Sequence, residues 1–154
     1  MTFPLFPLLL PSYLLGWLYV GVMLCGFARK PQFMLGVLTA EWRPWVAERW
    51  LYSTTIGHGV IFHPRATEKT AAHEFVHIRQ FEDATLRGLY LGLFTLIVSD
   101  WRALLMCWCL APTSMMVGWL SGWIRFGDPY RGAEFERSAY EQDDHINPDG
   151  TRKQ

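Results

Sequence analysis

The stretch Thr67-Glu68-Lys69-Thr70-Ala71-Ala72-His73-Glu74-Phe75-Val76-His77-Ile78-Arg79-Gln80-Phe81-Glu82-Asp83-Ala84-Thr85 decides how this chain is read. It contains good helix formers and no Gly or Pro, and Thr67 is a residue type that caps helix N-termini, so a helix over 68–85 is predicted. Within it His73 and His77 stand four residues apart. Their imidazoles leave one helical face about one turn apart and can reach the same ion. Glu74 adjoins the first histidine, so it sits beside the ion without being forced to bind it. Zinc chemistry wants that arrangement: the ion polarises a carbonyl and acidifies water, and a nearby carboxylate carries the proton to the leaving amine. Ala71, Ala72, Phe75 and Val76 supply a small, apolar side for burial. Lys69, Arg79, Glu82 and Asp83 are expected on the opposite side.

Working outward, 154 residues make one domain with room for a core. The 14 basic and 14 acidic side chains cancel, which excludes the basic stripe of a nucleic-acid binder. Cys25, Cys107 and Cys109 lack the spacing of a disulfide framework or a metal pair and are read as buried apolar thiols.

The apolar segments point to a membrane. Thr2–Ala28 carries no charge, and about 20 apolar residues cross a bilayer core. Pro4, Pro7 and Pro11 confine its regular helix mainly to Ser12–Phe27. No basic residue precedes this run and no small-residue cleavage pattern follows it, so an anchor is expected over a cleaved signal. Beyond the histidine motif lie Gly88–Val98 and Ala103–Ile124, separated by Ser99, Asp100, Trp101 and Arg102. If His77 and a carboxylate beyond Ile124 share one ion, the chain between them crosses the bilayer an even number of times. A hairpin with its tip at Asp100–Arg102, spanning or dipping into one leaflet, meets that condition. Pro112 predicts a kink in its second arm. Arg79, Arg87, Arg125 and Arg131 lie at its open ends, and Arg29 and Lys30 follow the first run; this places the site on the cytoplasmic side. Buried helices of a soluble domain are the alternative.

Between the first apolar run and the histidine helix, Glu41, Arg43, Glu48 and Arg49 mix with Trp42, Trp45 and Trp50, which predicts a short amphipathic helix. Leu51–Phe62 is β-branched and aromatic, interrupted at Gly57-His58-Gly59, and reads as a hairpin or bulged strand pair ended by Pro64. A strand there could hold an extended peptide by edge pairing. His58 and His63 are read chiefly as turn or strand residues and secondarily as substrate contacts.

His73-Glu74-Phe75-Val76-His77-Ile78-Arg79-Gln80 resembles the zincin metallopeptidases, and specifically small bacterial-type members with His-Glu-x-x-His-x-x-Gln. The resemblance implies zinc, a peptide-bond hydrolase, Glu74 as catalytic base and, in the glutamate-zincin branch, a Glu ligand from a later helix. That helix would lie in Ala133–Glu141, after the turn Pro129–Gly132. Phe135-Glu136 with Ala139 is similar to the family's Phe-Glu-x-x-Ala pattern, so Glu136 is expected as third ligand beside His73 and His77, ahead of Glu134 and Glu141. Many members carry an Asp four residues after that Glu; here Tyr140 stands there, and Asp143 could supply its hydrogen bond one turn later. Tyr130, Arg137 and Tyr140 are conceivable oxyanion stabilisers, and His145 is a minor metal candidate.

The expected fold is α+β and mainly helical, a minimal zincin in a single domain, 1–154. It divides into an apolar anchor helix (1–28), a strand element with the histidine helix (41–86), an apolar helical hairpin (87–124), a helix carrying the Glu ligand (129–143) and a polar tail (144–154). The expected function is hydrolysis of a protein or peptide substrate at or near membrane lipid. The alternative is a non-catalytic membrane interaction protein that keeps the zinc-stabilised module.

Overall fold

The computed structural model describes residues 7–34, 36–49 and 52–126, together with Glu136 and Ala139. Glu134, Glu141, Asp143, His145, Tyr130, Arg137 and Tyr140 lie outside the described residues. The fold is α+β, with helices around a four-stranded mixed sheet. In chain order the elements are α1 (Leu10–Leu24), β1 (Ala28–Met34), β2 (Val37–Trp42), α2 (Pro44–Ala47), β3 (Thr54–Ile56), β4 (Gly59–Phe62), α3 (Glu68–Val98), α4 (Trp101–Leu110) and α5 (Thr113–Phe126).

The strand order is β1-β2-β4-β3, with β2 and β4 parallel and the outer pairs antiparallel. β1 is an edge strand, which is where Pro31 can sit without breaking the ladder. The register shifts between Arg29 and Gln32, and Lys30 takes a positive φ of 53° there. Side-chain alternation then sorts the sheet's two faces. Leu38, Ala40, Trp42 and Ile61 pack with Val20 of α1 on one face. Val37, Val60 and Phe62 pack with Phe75 and Ile78 of α3 on the other. Fully burying such a side chain stabilises by about 2 kcal/mol, so both helices are bound into one core.

Four expectations change at this level. The amphipathic helix expected around Glu41–Trp50 is not formed as read: Glu41 and Trp42 end β2, and among the described residues of this stretch only Pro44–Ala47 is α-helical. Trp42 is buried and donates its indole N–H to the Tyr52 carbonyl at 3.0 Å, while Glu41 pairs with Lys30 at 2.9 Å across the strands. The histidine helix does not stop near Thr85. It runs unbroken for 31 residues, through the boundary drawn at residue 87. The cysteines are free, but Cys25 and Cys109 are exposed rather than buried. The fourth change concerns the anchor. The apolar helix of 1–28 ends at Leu24, and its Ser12, Tyr13, Gly16 and Val20 are buried in the domain. The window Pro7–Leu24 is long and apolar enough to cross a membrane by length and composition alone.

The hairpin tip lies where the charges put it. α3 ends at Val98, and Asp100 caps α4 by accepting from the N–H groups of Arg102 and Ala103. α4 returns alongside α3, with Gly92 against Leu104 and Gly88 against Cys107 and Ala111. The break at Ala111-Pro112 separates α4 from α5.

Candidate metal centre

α3 is capped as its sequence predicts. The Thr67 side chain accepts from the Thr70 N–H, and the Thr70 hydroxyl accepts from the Thr67 N–H. Ala72, Phe75, Val76 and Ile78 are buried, which fixes the rotation of the helix. That rotation turns His73 and His77 toward Glu136, a helical residue 63 positions after His73. Ala139, three positions after Glu136, is fully buried against Ala72 and Val76, a contact that its small side chain allows.

Three donor atoms converge. His73 Nε2 lies 3.2 Å from Glu136 Oε2 and 3.2 Å from His77 Nε2, and His77 Nε2 lies 3.3 Å from the same carboxylate oxygen. A nearly equilateral triangle of that edge is one face of a tetrahedron whose centre lies about 2.0 Å from each corner, the bond length of zinc to imidazole nitrogen or carboxylate oxygen. Two imidazoles and one carboxylate also suit a zinc that keeps an open position. The residues present therefore fit a divalent ion.

The surroundings orient the donors. His77 Nδ1 donates to Gln80 Oε1 at 2.8 Å, which leaves the Nε2 lone pair turned toward the other two donors. Glu74, 6% exposed, accepts from the Thr55 hydroxyl at 2.5 Å through Oε2. Burial raises the Glu74 carboxyl above its ordinary range, against the lowering pull of His77, Thr55 and His73, and Glu136 adds to the rise. Burial would also raise Glu136, but the hydrogen bonds and charges of the two histidines hold it at about 2. His77 is shifted upward: burial opposes this, and Glu136, Glu74 and Gln80 outweigh it. The two histidines thus hold the Glu136 carboxylate in its charged form, and protons compete with an ion for the same ligand atoms.

The other histidines lie elsewhere. His63 Nδ1 accepts from the Arg65 N–H, and its Nε2 donates to the Ala47 carbonyl at 3.3 Å, the bonding of a turn residue. His58 is fully buried in the Gly57-His58 turn, where Gly57 takes φ 54° as a tight hairpin requires. Its Nδ1 meets Ser12 Oγ of α1 at 3.0 Å, its Nε2 meets Glu82 Oε1 of α3 at 3.1 Å, and its ring stacks on Tyr13. Glu82, expected on the solvated side of the helix, faces the hairpin. Glu74 and Glu82 are two turns apart on α3, so Thr55 and His58 clamp the β3–β4 hairpin along one helical face. Thr55 is the site residue that sequence reasoning missed. The signal was alternation: Thr54 turns to the Tyr19 hydroxyl and Thr55 to Glu74.

No protein-family model matches the chain, and no curated protein or solved structure compared with it does either.

Proposed function

We propose that this chain is a zinc-dependent metallopeptidase of zincin-like design, acting on a protein or peptide substrate at or near a membrane. The observation that carries the reading is Glu74, a buried carboxylate held beside three converging ligand atoms by Thr55. His73, His77 and Glu136 would hold the ion, which when bound supplies a Lewis acid for a carbonyl and for water. The chain's own residues supply the rest. Thr55 fixes one Glu74 oxygen, so the carboxylate can present the other to a water beside the centre. Burial raises the affinity of Glu74 for a proton, which suits a group that takes one from water and returns it to the leaving amine. β3 is the edge strand next to this helix, and its outer backbone groups suit an extended peptide. The resemblance at His73–Gln80 to zincin metallopeptidases agrees with these roles.

The test pairs metal analysis with hydrolysis of a peptide library by the full-length protein and by Glu74→Gln. One zinc per chain in both, with cleavage by the first alone, supports the reading. Zinc in both without cleavage in either would favour the non-catalytic module instead.

A further inference from the structure

We infer that a lipid bilayer covers the outer face of α1 and the α3–α4 hairpin, and that the water–lipid boundary crosses α3 between Arg87 and Tyr90. This rests on the membrane part of the proposed function and not on its chemistry.

Three independent features lead there. First, one strip of α3 changes character within a turn. Asp83 and Arg87 are exposed on it, and the next positions along it are Tyr90, Phe94 and Ile97, exposed at 68%, 67% and 81%. Water gives no reason for three large apolar side chains to stand bare in succession, whereas hydrocarbon does. Second, α1 is apolar on its outer face too. It buries Ser12, Tyr13, Gly16 and Val20 in the protein and leaves Leu14, Leu18 and Val22 outside, so it is apolar on its outer face as well as at its core contact with Val20. Third, the contacts are made by small residues. Between α3 and α4, a Cβ on Gly88 would lie 2.2 Å from the Ala111 Cβ and one on Gly92 2.8 Å from the Leu104 carbonyl. Helices surrounded by lipid associate this way, because apolar burial there gives no driving force.

The chemistry and layout select a bilayer over a second protein. The start of α1 meets the hairpin, where the Trp108 indole N–H donates to the Leu8 carbonyl at 2.8 Å, so the exposed apolar faces of α1 and of the hairpin adjoin and one continuous phase can cover both. No charged residue occurs in 2–28, 88–99 or 103–124; at the tip between the last two, Asp100 accepts from the Arg102 and Ala103 N–H groups and the Arg102 guanidinium lies 5.8 Å from the centre of the Trp101 ring. Where α1 ends, Phe27 packs on Trp45, and Arg29, Lys30 and Arg43 gather nearby, with Arg43 Nε donating to the Ala28 carbonyl. Aromatic and basic groups of this kind favour the interface. The boundary is therefore tilted, leaving α3 at Arg87 and α1 near Phe27.

Two lengths follow. Gly88–Val98 rises about 16 Å, half a hydrocarbon core, so the hairpin enters one leaflet without crossing. His77 precedes Gly88 by 11 residues on the same unbroken helix, which holds the metal centre no more than about 16 Å from the boundary. A substrate would then present its scissile bond within about five extended residues of a membrane-anchored segment.

The experiment uses full-length protein with Cys25, Cys107 and Cys109 changed to Ala. Single cysteines at Asp83→Cys, Phe94→Cys and Leu18→Cys, with Val22→Cys as a second position on α1, carry an environment-sensitive fluorophore. Reconstitution into phosphatidylcholine vesicles with brominated acyl chains should quench the labels at 94 and 18 at least threefold more than that at 83. Equal quenching at 83 and 94, or none at 94 and at both α1 positions in vesicle-bound protein, overturns the inference. Failure to float with vesicles overturns it together with the membrane reading. The expected quenching in a protein that binds no zinc leaves it standing and removes only the catalytic reading.

Discussion

Two histidine–carboxylate clusters flank α3, and their residue types are nearly the same. At one, His73, His77 and Glu136 aim three atoms at a common point, with edges of 3.2–3.3 Å. At the other, Ser12, His58 and Glu82 form a line in which each ring nitrogen already has its own partner. The first arrangement gathers negative donor density and leaves a place for a cation. The second distributes it along three elements and fastens them. Convergence, rather than composition, separates a site from a staple, and the two clusters can be tested against each other with matched substitutions.

The widest gap should come from the two glutamates. Glu74→Gln keeps the shape and the bond from Thr55 but removes the proton acceptor of the proposed mechanism, which predicts a fall in peptide hydrolysis of about 10²–10⁴-fold. Glu82→Gln is isosteric in the same way and should leave the rate within about twofold, since it touches His58 and not the metal centre. Parallel kcat measurements on zinc-loaded protein check both. Comparable losses from the two changes would erase the distinction.

Zinc affinity comes next. His77→Ala removes one corner of the donor triangle and should weaken zinc by on the order of a hundredfold or more, beyond the effect of outer-shell changes. His58→Ala should leave zinc affinity unchanged under conditions where the protein is folded. Competition titration with a chromogenic chelator reads both constants.

How far the sequence reveals these clusters depends on which physical signal each one leaves. The pair His73 and His77 is visible because helical spacing alone brings two rings together, and Thr67 is visible because caps have few residue types to choose from. Glu136 needed the resemblance, since nothing in its local spacing singles it out from Glu134. β1 and β2 escaped because Pro31 interrupts one and only Val37–Ala40 marks the other, with pairing supplied from elsewhere in the chain. The 31-residue length of α3 was hidden by a change of composition at Arg87, although composition can change along a helix without breaking it. α1 misled for the opposite reason. Its buried face combines Tyr13 and Val20 with Ser12 and Gly16, whose close fit to His58 and Gly59 is a tertiary property that apolar content alone does not reveal.

The staple should show itself in stability. His58→Ala leaves Ser12 and Glu82 without the ring that joins them and removes the stack on Tyr13. Leaving such groups unsatisfied costs about 2 kcal/mol, reduced for Glu82 by its partial contact with solvent. Thermal unfolding of the metal-free protein should therefore move down by roughly 4 °C or more, while His77→Ala should move it less. An unchanged midpoint would mean that α1 is held without the His58 link, by Val20 in the core, the glycine contacts and the Trp17 bond to the Gly36 carbonyl.

The finest discrimination lies in Gln80. Its Oε1 accepts from His77 Nδ1 at 2.8 Å, and that bond sets which ring nitrogen keeps a lone pair for the ion. With Gln80→Ala the ring can rotate or take the other tautomer, yet all three donors remain. Zinc affinity should then drop by about tenfold, the lower end for an orienting partner, with Gln80→Glu restoring it because a carboxylate accepts the same bond. The matching second partner at the staple is Ser12, whose loss touches no ligand. Ser12→Ala should leave the zinc constant where it was, since a hydrogen bond orients a ligand only when it ends on that ligand's own ring.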